Sequence, residues 1–388
     1  MRTSSSSAPR SHRANITRAS VRRDLVGWAF VAPFVAVYLA FLVTPFLRGI
    51  WISLHDWNLL AVTFNPDAKA FVGLENWRTM LWGDGLVWSA TAHTPLRTAG
   101  LLLAAALVAR AVLAWRRPEG PGAPRPPGVA PRVVVPAALT LVLASVVLGG
   151  IVPGPDGAWN DPRALRIVGN TLAFVGLTVP AITVLALVIA TALAKPGPLA
   201  ATLRTIFFLS QVLSVTVVTL IWQLLYSPAQ GLFATIAEAL GREPIVWVTN
   251  PSLAMPAIVI ATVWWSLGFA MVLFLAGLQE IPAERFEAAR IDGANGLEVF
   301  RYVTLPGIAR TLTLVVVFEI VLHFQVFGQA HLITRGGPND ATQTLVRYVY
   351  QTAFRDGEIG YASALAMALF LLMLGFTLLQ LRLERRAD

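Results

Sequence analysis

Residues 280–308 read EIPAERFEAARIDGANGLEVFRYVTLPGI, and this stretch decides the fold. Pro282 suits the first turn of a helix, where its missing N–H costs nothing, and Glu284 suits the positive end of the helix dipole. Phe286, Ala289 and Arg290 recur at helical spacing. Asp292-Gly293-Ala294-Asn295-Gly296 then breaks the helix, because Gly and Asn tolerate turn conformations. A second short helix is predicted over about 297–304, stopping at Leu305-Pro306-Gly307. The pattern is that of a helix–turn–helix in water, yet long apolar runs flank it on both sides.

Those runs set the fold class. The chain has 388 residues, of which 56% are hydrophobic and 13% charged. Its mean hydropathy is +0.66, and soluble domains carry about 25% charged residues. There is too little polar surface to wrap several soluble cores, which argues against a secreted protein, a cytosolic enzyme or a disordered chain. A bilayer core is about 30 Å thick and needs roughly 20 apolar residues to cross. About eight stretches qualify, at 25–47, 96–115, 132–152, 168–194, 203–226, 253–279, 309–333 and 360–381. The predicted fold is all-α, a polytopic transmembrane helical bundle. Arg110 lies inside the span at 96–115, near enough to one end to snorkel.

The net charge is +9, and only Lys69 and Lys195 among the basic residues are not Arg. The charges sit between apolar segments, so they point to membrane topology rather than to nucleic acid. With the N-terminus inside, Arg2, Arg10, Arg13, Arg18, Arg22 and Arg23 are cytoplasmic. So are Arg116, Arg117, Arg125, Lys195, Arg285, Arg290, Arg301, Arg382, Arg385 and Arg386. This bias puts both termini and the 280–308 loop on the inner face of the membrane. There is no cysteine, which excludes disulfides, thiolate metal sites and Cys nucleophiles.

Four regions follow. Residues 1–24 form a Ser/Arg-rich cytoplasmic tail. The apolar run after it is too long for a signal-peptide core, so it is expected to be retained as the first span. Residues 25–82 hold that span and an external loop; Trp51, Trp57, Trp77, Trp82 and Trp88 cluster from there onward, as at a membrane–water interface. Residues 83–162 hold two apolar spans joined by a Pro/Gly-rich linker at 116–131. Residues 163–388 hold the remaining spans and the inner loop. A short outer helix is expected over Leu232–Leu240, ended by Gly241.

Glu287-Ala288-Ala289, Asp292-Gly293-Ala294, Phe300, Val303 and Leu305-Pro306 resemble the EAA loop of ABC importer permeases. APFVAVYLAFLVTPFLRGIWISLHDWN, then FVGLENW at Phe71–Trp77, is similar to the sugar-importer branch. So are Asn170-Thr171 and LITRGGPNDATQTLVRYVYQTAF at Leu332–Phe354. The resemblance covers about 1–82 and 163–388 and fails over 83–162, where the usual six-span pattern gains an apolar hairpin. An even number of added spans preserves the orientation of everything downstream.

The resemblance implies a permease subunit in a bacterial or archaeal cytoplasmic membrane. It would form half of a translocation path for a mono- or oligosaccharide. The loop would dock in a cleft of a separate ATPase dimer. In that role Glu287 would meet a basic group, Phe300 with Ala288 and Ala289 would make apolar contact, and Gly293 would let the chain turn. Asp292, Ala294 and Pro306 complete the implied coupling set. A second permease subunit, giving a heterodimer, and an extracytoplasmic solute-binding protein are the other implied partners. The chain has no GxxxxGK[ST] phosphate loop, so ATP hydrolysis is expected elsewhere and no cofactor is expected here.

Polar residues within spans are costly in lipid and mark candidate pathway positions. Glu319 and His323 are four apart and share a helix face; Gln325 and Gln329, with Phe327 nearby, share another. Gln223 and Trp264 are candidates for the same path. Amides suit solute hydroxyls, and aromatic rings suit sugar faces. Arg110, in the extra hairpin, is the only basic residue within a span rather than at its end, which favours a neutral sugar over glycerol 3-phosphate. A proton-coupled secondary transporter would use Glu319 and His323 but leaves the 280–308 loop unexplained. A membrane-embedded enzyme would need paired carboxylates or metal ligands, and the five histidines show no metal-ligand spacing.

Overall fold

The computed structural model describes residues 18–65, 68–81, 84–89, 91, 94, 97–98, 100–106, 109, 151–158 and 160–384. The expected linker at 116–131, nearly all of the span at 132–152, Arg110 and residues 1–17 lie outside the described residues.

The described chain is a helical bundle. Helix α1 (Arg18–Tyr38) passes through a π-turn (Leu39–Val43) into α2 (Thr44–Ser53). It begins within the segment expected to be a polar tail. Strand β1 (His55–Asp56) pairs with β2 (Ala70–Phe71) around α3 (Leu59–Phe64), and α4 (Glu75–Leu81) follows. Asn76 of the Asn-Trp segment donates to the carbonyls of Ser53 at 2.9 Å and His55 at 3.0 Å. Strand β3 (Asp84–Trp88) pairs antiparallel with β4 (Ile151–Ala158). The two ends of the 83–162 insertion are thus joined by a ladder, and Ile151 and Val152 are strand rather than the end of a span.

Five described helical stretches are long and apolar enough to cross a membrane: Gly27–Ser53, Pro162–Ala192, Pro251–Gln279, Ala309–Leu332 and Ile359–Leu378. They match five of the expected spans. Helix α5 (Pro162–Ala192) starts at an Asp161 cap that accepts from the backbone N–H groups of Arg163 and Ala164. Helix α9 (Pro251–Gln279) starts at a similar Asn250 cap.

The expected span at 203–226 is not straight. It is α6 (Pro198–Val212) and α7 (Val215–Leu225), bent by 103° between them. Ser214 caps α7 by accepting from Val217 N–H, and the Trp265 indole donates to Leu213 carbonyl at 3.1 Å. Two of the backbone groups freed by the bend, the Val217 N–H and the Leu213 carbonyl, thereby find side-chain partners within the chain. A short helix α8 (Leu232–Ala239) follows, with Gly241 at φ +66 close behind it.

Helix α9 is the axis of the bundle and packs on α5 and α6. At Gly268 an added Cβ would run into the Phe207 backbone carbonyl of α6, so the two helices touch main chain to main chain. One apolar cluster centres on Phe174, Val218, Trp222, Ile258 and Phe324. A second centres on Ile182, Ala186, Met271, Phe274 and Val315. A third joins Met80, Ile167, Leu345, Tyr348 and Leu365.

Candidate coupling loop and transport path

The loop is built as its sequence dictates at its start and middle. Helix α10 (Ala283–Ile291) ends at Asp292, and Gly293 takes φ +78, a left-handed conformation that costs other residues about 1 kcal/mol. Ala294 N–H returns to the Ala289 carbonyl at 2.9 Å, closing the helix end. Asn295 then opens α11 (Gly296–Val299) with a capping box. Its side chain accepts from Leu297 and Glu298 N–H, while Glu298 accepts from Asn295 N–H at 2.8 Å.

The second half departs from expectation. The helix does not stop at Leu305-Pro306-Gly307. It continues through a π-turn (Phe300–Thr304) and α12 (Leu305–Gly307) to a single break at Ile308, beyond which α13 (Ala309–Phe324) begins. Pro306 stands directly after the π-turn, where the regular i→i−4 ladder is already interrupted, and the helix ends two residues later.

Phe286, Phe300, Val303 and Leu305 pack onto the second apolar cluster beside Ile281 and Ile308. Phe300 therefore faces the bundle rather than solvent. Glu287, Ala288, Asp292, Gly293 and Pro306 are exposed, whereas Ala289 and Ala294 are half-buried. The large exposed apolar side chains are Ile291 at 86%, Leu297 at 76% and Tyr302 at 71%. Sequence reading missed these three; their signal is that each is apolar in a loop whose other apolar residues are turned inward.

The pathway candidates divide by exposure. Glu319 and His323 are buried, at 1% and 4%, and face the chain's own core beside the Phe174 ring. His323 Nδ1 lies 2.7 Å from the Glu319 carbonyl and 3.2 Å from Glu319 Oε2. Gln325 is exposed and donates to the Val321 carbonyl at 3.2 Å. It sits where α13 breaks before α14 (Gly328–Leu332). Gln329 is buried. Gln223 is exposed on α7 and donates to the Leu332 carbonyl; Trp264 is 42% exposed and meets Trp222 edge-on. Among the described residues no three His, Asp or Glu side chains gather as metal ligands.

Around the N-terminal end of α5, α15 (Leu345–Tyr350), the π-turn Gln351–Arg355 and α16 (Ile359–Glu384) come together. Asp161 accepts from the Tyr348 hydroxyl at 2.7 Å and from the Tyr361 hydroxyl. Asn170 donates to the carbonyls of Asp340 and Gln343 at 2.7 and 3.1 Å, and Thr171 accepts from Leu345 N–H. The Asn-Thr pair is thus the seat of the 334–345 loop. Just beyond that loop, on α15, Arg347 is 8% exposed, and burial lowers its pKa from the usual guanidinium value.

Residues 146–388 match the family described as binding-protein-dependent transport system inner membrane component. The chain is 34% identical over 181 residues to the probable ABC transporter permease protein YurN of Bacillus subtilis (strain 168), a match spanning 46% of this chain and 62% of that one. It is 27% identical over 373 residues to the trehalose/maltose transport system permease protein MalF of Thermococcus litoralis, covering 96% of this chain and 98% of that one. The fold is also that of a chain in a bacterial ABC transporter involved in the import of the acidic polysaccharide alginate. There the TM-score is 0.63 at 17% identity, covering 95% of this chain and 98% of the other.

Proposed function

This chain belongs to the family of binding-protein-dependent transport system inner membrane components, and from that membership we propose that it is the permease subunit of an ABC importer for a sugar. It forms half of the translocation path and couples to a separate ATPase dimer through residues 280–308. A second permease subunit completes the path, and an extracytoplasmic binding protein delivers the solute. The chain is multi-pass in a cytoplasmic membrane, with both termini inside.

The observation that carries this reading is the two-faced loop. Its inner face, Phe286, Phe300, Val303 and Leu305, is fixed to the bundle. Its exposed side chains include Glu287, Ile291, Leu297 and Tyr302. Acid steers and registers an interface, and exposed apolar side chains supply its core. One break at Ile308 separates this unit from α13, which carries the polar candidates. Closure of the ATPase dimer would move the loop and α13 together, a rigid-body route to alternating access. Gln325, Gln329, Gln223, Phe327 and Trp264 are assigned to the solute path. Glu319 and His323 support them from within the bundle.

The test is capture of the ATPase by the purified chain. Wild type should retain it, and Glu287→Ala with Leu297→Asp should lose it at unchanged thermal midpoint. Equal capture by both would overturn the assignment of the loop.

A further inference from the structure

The outer mouth holds a buried cation without an acid of its own. Both hydrogen bonds of the Arg347 guanidinium run through Nη1, to the amide oxygens of Gln343 and, at 3.4 Å, Gln351. Its Nε is buried without a partner. The acid that acts on it, Asp340, is gripped by Arg163 through two hydrogen bonds at 3.0 and 3.1 Å. Arg163 and Arg355 add like charge around it. A buried charge is retained at such cost only when something compensates it.

Beside it runs a ladder of rings. Phe327 stacks on His331 at 4.8 Å, and both contact Tyr350 at 5.2 Å. Tyr350 contacts Phe354 at 5.2 Å. Exposure rises outward, from half-buried Phe327 and His331 to Tyr350 at 41% and Phe354 at 70%. Tyr350 and Phe354 lie three and seven residues beyond Arg347, on the helix that carries it. His331 Nδ1 is a second buried polar atom without a partner. The ladder starts at the α13–α14 break, next to the pathway candidate Gln325. Aromatic faces suit the C–H faces of a pyranose, and a guanidinium donor suits an oxyanion.

We propose that Arg347, with the Phe327–His331–Tyr350–Phe354 ladder, is an outer-mouth subsite for a saccharide bearing an acidic group. This rests on the sugar-importer reading and sharpens it from a neutral solute to an anionic one. The earlier preference for a neutral sugar counted basic residues only within spans. Arg347 lies between two of them and is buried by the folding of the 334–345 loop.

The test uses the full chain in lipid nanodiscs and two probes, digalacturonate and its dimethyl ester, which share rings and differ in charge. Wild type should bind the acid at least about tenfold more tightly than the ester, a difference of 1.4 kcal/mol. Arg347→Gln should bring the two to parity, Arg347→Lys should keep the preference, and Phe354→Ala should weaken both probes alike. Equal binding of the probes by wild type, binding of neither, or a preference that survives Arg347→Gln would each reject the subsite. ATPase capture is read at the opposite face, so it separates failure of the subsite from failure of the importer assignment.

Discussion

Arg163 and Asp340, far apart in sequence, meet in a two-pronged ion pair at the N-terminal end of α5, at 3.0 and 3.1 Å. The pair fixes the 334–345 loop to the first turn of α5. Both side chains are partly exposed, so solvent screens the pair and it is worth at most about 1 kcal/mol. A double-mutant cycle with Arg163→Ala and Asp340→Ala should return a coupling of that size, smaller in high salt. A coupling of zero would mean that the loop is held by its other contacts, Asn170 and Thr171 among them.

The contact between Gly268 and Phe207 makes a steeper prediction. Gly268→Ala should destabilise the bundle by roughly 1–3 kcal/mol, as overpacking does. Gly176→Ala, with nothing within 4 Å of its added Cβ, should be close to neutral. Thermal midpoints in detergent check this, and equal midpoints for the two variants would contradict the main-chain contact.

Tyr348 gives a pH signature. Burial first, then the hydrogen bond to Asp161 and its charge, hold the phenol protonated above its usual range. Above about pH 10 the unfolded chain releases this proton and the folded chain keeps it, so stability falls as pH rises. Tyr348→Phe should cost about 1 kcal/mol at pH 8 through the lost hydrogen bond. It has no proton to release, so its deficit should shrink at pH 11. A deficit that grows with pH would contradict the assignment.

Much of this was legible in the sequence, because apolar length alone specifies a spanning helix and the Gly293 turn follows from residue type. The bend at Leu213–Ser214 was not legible. The segment is apolar enough to read as one span, and the Trp265 indole that donates to the Leu213 carbonyl is distant in sequence. The direction of Phe300 was hidden for a similar reason. A motif gives spacing, whereas burial depends on the second apolar cluster beneath the loop. Arg347 escaped because it lies between spans and is buried by tertiary contact.

The exposed trio on the loop predicts a clean separation of folding from coupling. Ile291→Asp and Tyr302→Asp replace side chains that are 86% and 71% exposed. Surface changes of this kind move stability by about 0.5 kcal/mol or less. Each should leave the thermal midpoint in place and reduce ATPase capture at least about tenfold. Phe300→Asp should instead lower the midpoint, since it places a charge in an apolar cluster.

The most direct measurement of the central claim is sugar uptake into vesicles holding this chain with its ATPase, second permease and binding protein. The account predicts accumulation that requires ATP, ignores a proton gradient and is lost in Gly293→Asp at unchanged protein level. Accumulation driven by a proton gradient without ATP, and lost in Glu319→Gln, would contradict it and make the Glu319–His323 pair the engine of transport.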